Sequence, residues 1–339
     1  MKNLEHCLNS ILENNVANNI AVKVGKNHET LMTYYLSNDG KIDEYTLFDM
    51  ASITKILATT SLCLIALDKS LIHLTDNVSD FFSFETDKQD MTIFNLLTHT
   101  MGIGHKPLNQ PENNIDNIAE YILGIPSDVN IGSEVLYSCP GFILLGKILE
   151  KVFGQPLDTA FLEYVCNPLK MRYTLFCPTD KTNIVNSNID KNEAGIVNDY
   201  NCQHLGGVAG NAGVFSNIHD LTMYVNMLLS NGFPIIRENT FKKAICNYTP
   251  EMSASRGLGF LYVDQKYQQT GQLFPVGSFG HCGHTGQSIF VDPESGLYVI
   301  ILSDATITTH KKYGKENYNE VKEMRATIHN AIKQYSDWT

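Results

Sequence analysis

No C-x-x-C pair occurs among the eight cysteines, which lie scattered at positions 7, 63, 139, 166, 177, 202, 246 and 282. That scatter argues against a disulfide framework or a zinc ribbon and for reduced thiols in a reducing compartment. Basic clusters are also missing. Lys311-Lys312 is the nearest approach to one, and the formal net charge is −11. A nucleic-acid partner needs a basic phosphate-binding surface, so none is expected. The opening residues, Met1 to Cys7, lack the apolar core of a signal peptide, which makes the cytoplasm the expected location. The most apolar run, Ile56 to Leu67, has the length of a buried core helix and falls short of a bilayer span, so no transmembrane segment is expected. Repeats and low-complexity segments are absent too. With 43% hydrophobic and 18% charged residues over 339 positions, the chain suits one large globular domain or two closely joined ones.

What is present follows a clear order. Leu4, Leu8, Ile11 and Leu12 recur at helical spacing, with a cap near Asn3. Ile20, Val22 and Val24 alternate, as do residues 31–36, and the polar stretch 25–29 between them predicts a hairpin. A helical middle follows. One short helix is predicted over Thr92 to Leu97, and Pro140 leads a longer one over Phe142 to Val152 that stops at Gly154. The loop from Gly104 to Asn117 carries Pro107 and Pro111. Pro178 to Leu205 is polar and weakly periodic, as mobile lids often are. The glycines of residues 206–213 permit close backbone approach, and Ser216 or Asn217 caps a helix to Leu229. Gly257 to Val263, His281 to Val291 and Leu297 to Leu302 read as strands, and Val321 to Tyr335 as a closing helix. Matching grammar at the two ends predicts an α/β domain of residues 1–50 and 233–339, with a mostly helical domain of residues 51–232 inserted.

Chemistry gathers at three places. Ser52 stands three residues before Lys55 at the head of the apolar run, one helical turn away, where an ammonium can reach the hydroxyl. Tyr137 sits in a turn just before a helix, and His281-Cys282-Gly283 lies on a strand. His99, beside a glycine at a helix end, reads as structural. His281, Cys282 and His284 raise the alternative of a metal site, but strand alternation points the two histidines apart. Cys139 or Cys282 with a nearby histidine raises a cysteine hydrolase as another.

In this order the three motifs resemble those of the penicillin-recognising serine hydrolases, most closely the class C β-lactamase-like branch with its esterases and D-amino-acid peptidases. That family shows S-x-x-K, then Y-x-N, then K-T-G or H-x-G, and the resemblance runs from about Thr46 onward. It implies an α/β (α+β) fold: an antiparallel sheet flanked by helices, a helical domain, and a site in the cleft between them. Carried over by position, Ser52 is the nucleophile, Lys55 its partner and Tyr137 the general base or relay. The amides of Ser52 and His284 would form the oxyanion hole, with Gly283 completing the third motif. His281, rather than His284, aligns with that motif's first residue.

Two departures stand out: Cys139 replaces the asparagine of the second motif and His281 the lysine of the third. Both lessen contacts to a β-lactam, so the expected activity is acyl-enzyme hydrolysis of esters or D-amino-acid peptides ahead of β-lactams. The partner would be a small molecule or short peptide, with no metal or cofactor. The alternative is a covalent penicillin-binding sensor or scaffold that does not turn over.

Overall fold

The alternation at residues 20–24 becomes strand β1 (Asn19–Lys26), paired antiparallel to β2 (Glu29–Ser37) across the expected turn. Three very short strands follow, β3 (Phe48–Asp49), β4 (Leu175–Phe176) and β5 (Val214–Ser216), and form a small sheet in the order β3-β5-β4. Near the end of the chain come β6 (Leu261–Tyr262), β7 (Phe279–Cys282), β8 (Ser288–Val291) and β9 (Leu297–Ser303). They join the hairpin in a six-stranded antiparallel sheet of order β2-β1-β9-β8-β7-β6. The computed structural model describes residues 2–82, 88–108 and 117–335.

Side-chain alternation divides the sheet between two cores. Ile20, Val22 and Val24 of β1, with Val299 and Ile301 of β9, pack on the helix Lys2–Glu13 and the closing helix Tyr318–Lys333. Ala21, Tyr298, Ile300 and Leu302 face the other way, into a larger core shared with Ile53, Leu57, Phe142 and Leu145. Both faces of β9 are covered, which is why its seven residues read as an almost unbroken apolar run. Each fully buried aliphatic side chain there stabilises the fold by roughly 1.5–3 kcal/mol.

The serine-bearing run is one continuous helical segment: a 3₁₀ turn (Ala51–Ile53), a π-helical stretch (Lys55–Thr60) and an α-helix (Ser61–Asp68). Counted from Ala51 to Asp68 it spans 18 residues and is apolar enough by composition to cross a membrane, so Ile56 to Leu67 understated its length; here 83% of it is buried inside the protein.

Three sequence expectations change. His281 to Val291 is two strands, because the chain turns at residues 283–287; Gly286 takes a φ of +119°, and a Cβ there would stand 2.0 Å from Ser303 Oγ. Gly257 to Val263 shortens to β6, since Gly259 adopts a φ of +78°. Residues 178–205 do not project as a lid. Val185, Asn188, Val197 and Asn198 are buried, and Asn198 N–H donates to Asp49 Oδ2 at 2.6 Å. The small sheet was not legible at all, since strands of two or three residues are too short to display a period. Of the loop from Gly104 to Asn117, residues 109–116, Pro111 included, lie outside the described residues.

Candidate active site

Asp49 begins the construction. Its carboxylate is fully buried and accepts from Ala51 N–H at 2.8 Å, holding Ala51 at a φ of +45°. A non-glycine residue in the left-handed region is strained by about 1 kcal/mol or more, and here the strain sharpens the turn that presents Ser52. Burial raises the Asp49 carboxyl to about 6, against the opposing pull of the Asn198 and Ala51 amides.

Lys55, one turn on, is completely buried. Its ammonium donates to Ser52 Oγ at 3.1 Å, to the Asn211 carbonyl at 3.0 Å and towards Cys139 Sγ at 3.5 Å. An ammonium has three donors, so all are in use. Burial pulls the group down, but Cys139 and Tyr137 outweigh it and hold Lys55 above its ordinary range as a cation. Glycine makes the Asn211 contact possible. A Cβ on Gly210 would lie 2.0 Å from the Phe142 carbonyl, so only glycine lets this loop lie against the helix Cys139–Phe153.

Tyr137 OH donates to Ser52 Oγ at 2.7 Å, and its ring lies 5.0 Å from Lys55 Nζ. Behind it stands His99, fully buried, with its ring 4.8 Å from that of Tyr137. His99 Nδ1 accepts from Ser138 N–H at 3.1 Å and is therefore unprotonated; burial keeps the imidazole neutral. The histidine is a support for the tyrosine turn, in line with its sequence reading. Burial raises the Tyr137 phenol, partly offset by the Lys55 charge, whereas Cys139 falls below its ordinary range because Lys55 and His105 together overcome its burial.

The third motif arrives on β7. His281 is buried, and its Nδ1 lies 2.8 Å from the Cys282 carbonyl, so Nδ1 carries the proton and Nε2 is left as an acceptor without a partner. Burial, reinforced by the charges of Arg256 and Lys55, holds it well below the ordinary imidazole range. The ring is therefore neutral. Gly283 runs beside the serine turn, where a Cβ would come within 2.8 Å of the Met50 carbonyl. The next residue, His284, has its carbonyl bonded by Thr306 Oγ1, while its side chain turns outward to Glu316 at 3.0 Å and stacks on Tyr318. Arg325 ties this turn down by donating to the carbonyls of Gly283 and Gly286.

These pieces surround a cavity of about 560 Å³ whose lining includes Ser52, Tyr137, Cys139, Asp199, Arg256 and His281. Sequence reasoning missed Asp49, Asn211 and Arg256. The glycines around Asn211 were a signal that a backbone comes close; nothing near Arg256 marked it out. Chemically, the site holds a hydroxyl with a cation and a phenol on it, suited to acyl transfer.

The description "Beta-lactamase" belongs to the family model that matches residues 6–321. A protein of Escherichia coli O157:H7 named "Putative D-alanyl-D-alanine carboxypeptidase" is 27% identical over 303 residues, covering 76% of this chain and 69% of that one. The N-acetylmuramyl-L-alanine amidase of Bacillus subtilis (strain 168) is 26% identical over 310 residues, covering 79% and 70%. In fold, the chain is similar to the octameric penicillin-binding protein homologue of Pyrococcus abyssi, with a TM-score of 0.74 at 19% identity over 92% of this chain and 77% of that one. It is equally similar to EstCE1, a hydrolase with promiscuous acyltransferase activity, at 0.74 and 18% identity over 97% and 98%. By the match over nearly its whole length, the chain belongs to the beta-lactamase family of serine hydrolases.

Proposed function

We propose that the protein hydrolyses D-amino-acid peptides and small esters through an acyl-enzyme on Ser52, in preference to β-lactams. One observation carries this reading: Ser52 Oγ receives Tyr137 OH at 2.7 Å and Lys55 Nζ at 3.1 Å in a single hydrogen-bonded cluster. Lys55 has no donor to spare and stays charged, so it serves as the electrostatic partner and Tyr137 as the base. Tyr137 acts through its ionised form, which the Lys55 charge favours and burial opposes. Its phenolate takes the Ser52 proton as Oγ attacks the carbonyl carbon, and the proton then passes to the leaving group. Water repeats the sequence on the acyl ester and frees the serine. The amides of Ser52 and His284 are the donors for the oxyanion. Cys139 and the neutral His281 support the preference, because neither supplies the amide or the cation that a β-lactam meets in related enzymes. The names of the relatives, a carboxypeptidase and an amidase, agree with it.

The test is a panel of p-nitrophenyl esters, D-amino-acid amides and nitrocefin, run on wild type, Ser52→Ala and Tyr137→Phe. Ser52→Ala should abolish turnover and phosphonate labelling, and Tyr137→Phe should lose about 10²–10⁴-fold. Nitrocefin turnover matching the best ester or D-peptide would refute the preference. Labelling without turnover on any substrate would favour a covalent sensor.

A further inference from the structure

Two adjacent residues of the segment 178–205 reach the nucleophile turn at its two ends. Asn198 N–H donates to Asp49 Oδ2 at 2.6 Å, where the turn that carries Ser52 begins. Asp199, half-buried on the cavity wall, acts at the other end. One oxygen of its carboxylate, Oδ1, accepts from Cys202 N–H at 2.8 Å and from Asn211 Nδ2 at 3.0 Å. The Asn211 carbonyl in turn accepts from Lys55 Nζ at 3.0 Å. A chain of three residues therefore joins a carboxylate of the cleft to the buried ammonium beside Ser52.

The bond to Cys202 is an N-cap. It closes the first turn of the helix Tyr200–His204, and a serine would serve there as well as an aspartate. The bond to Asn211 has a different use. Asn211 is fully buried and its Oδ1 has no partner among the described residues, so the contact with Asp199 decides which way the amide faces. That contact also anchors the residue whose carbonyl meets Lys55. Charge acts in the same direction. Burial lowers Lys55, and Cys139, Tyr137 and Asp199 oppose it and keep the ammonium protonated.

We infer that Asp199 is a positioning residue of the Ser52 cluster: through the side chain of Asn211 it holds the carbonyl that aims the Lys55 ammonium at Ser52 Oγ. An ammonium that loses one of its three acceptors is free to turn away, and the contact with Ser52 loosens with it. The inference rests on the reading of Ser52, Lys55 and Tyr137 as the acyl-transfer group. It adds to that group a support from a segment whose polarity suggested a lid.

The rate at which a serine-directed phosphonate labels Ser52 measures the cluster without requiring turnover. Asp199→Ser keeps a helix cap but, one bond shorter, gives up Asn211. Asn211→Ala keeps the backbone carbonyl and gives up the link from the other side. Each should slow labelling roughly ten- to a hundredfold. The double variant should be no slower than the slower single, because both remove one contact. Asp199→Asn, which retains an acceptor of the same reach, should keep most of the rate. Asp199→Ser labelled as fast as wild type would overturn the inference, as would losses that multiply in the double variant. Should Asp199→Ser fail to fold, an Asp199→Asn protein as slow as Asn211→Ala, or an Asn211→Ala protein as fast as wild type, would overturn it. Crystal structures of wild type and Asp199→Ser give a reading free of any reaction. Lys55 Nζ should move out of hydrogen-bond reach of the Asn211 carbonyl in the variant, and an unmoved ammonium would refute the role. Absence of labelling in wild type, with that movement seen, would count against the chemistry proposed for Ser52 and not against Asp199.

Discussion

Lys55 Nζ stands 3.5 Å from Cys139 Sγ, so the residue that replaces an asparagine touches the cation of the nucleophile cluster. The thiol shares the Lys55 charge with Tyr137, and in its ionised form it raises the Tyr137 phenol. Removing the sulfur should let the phenol ionise more easily. A base works in its deprotonated form, so the rising limb of kcat/KM against pH should move to lower pH in Cys139→Ala. Profiles of the two proteins on one neutral ester decide this, and an unmoved limb, or one displaced upward, would contradict it.

His281 is buried beside two cations, Arg256 and Lys55, and is neutral. Substituting lysine, the residue that the family resemblance implies there, would add a third cation where burial and two cations already disfavour charge. His281→Lys should therefore destabilise the fold by about 3–5 kcal/mol, the usual cost of a buried charge left unpaired. Urea unfolding of the variant measures it, and a midpoint equal to that of wild type would remove the argument.

Asp49 ties pH to stability. Its folded-state value of about 6 lies above the ordinary 3.8, so between these two the folded protein holds a proton that the unfolded chain releases. Stability from this group is present in full below pH 3.8 and is lost as pH rises through 6. The loss is on the order of 3 kcal/mol once the carboxylate is fully charged. Comparing unfolding free energies from pH 4 to 7.5 in wild type and Asp49→Asn isolates this contribution. The variant should lack that part of the slope, and identical slopes would count against it.

Gly210→Ala tests the support of Lys55 from outside the cavity. The new methyl would meet the Phe142 carbonyl, a backbone atom that cannot swing aside, and force the loop away. Destabilisation of about 1–3 kcal/mol is expected. With it should come slower phosphonate labelling of Ser52, because the Asn211 carbonyl leaves Lys55. Unchanged melting and labelling together would show that the contact is dispensable.

Local pattern determined a good deal of this protein. The period of two at residues 20–24, the apolar run of β9, the helical period at both chain ends and the caps at Asn217 and Gly154 each name an element from neighbours in sequence. The i, i+3 spacing of Ser52 and Lys55 likewise fixes their approach within one turn, and motif order brought Tyr137 and His281 to the same cleft. What only the tertiary structure decided depends on residues far apart in the chain. The protonation of His281 follows from its burial and from Arg256 and Lys55, 25 and 226 positions away by number, and no local composition encodes that field. The third partner of Lys55 is a backbone carbonyl, which carries no side-chain signature. Residues 178–205 look like a lid because their polarity is visible in sequence, whereas the buried Asp49 carboxylate that holds them is 149 residues from Asn198. Arg256 was silent for the same reason: an arginine is identified by its partners, and its lack of them appears only when the chain has folded around it.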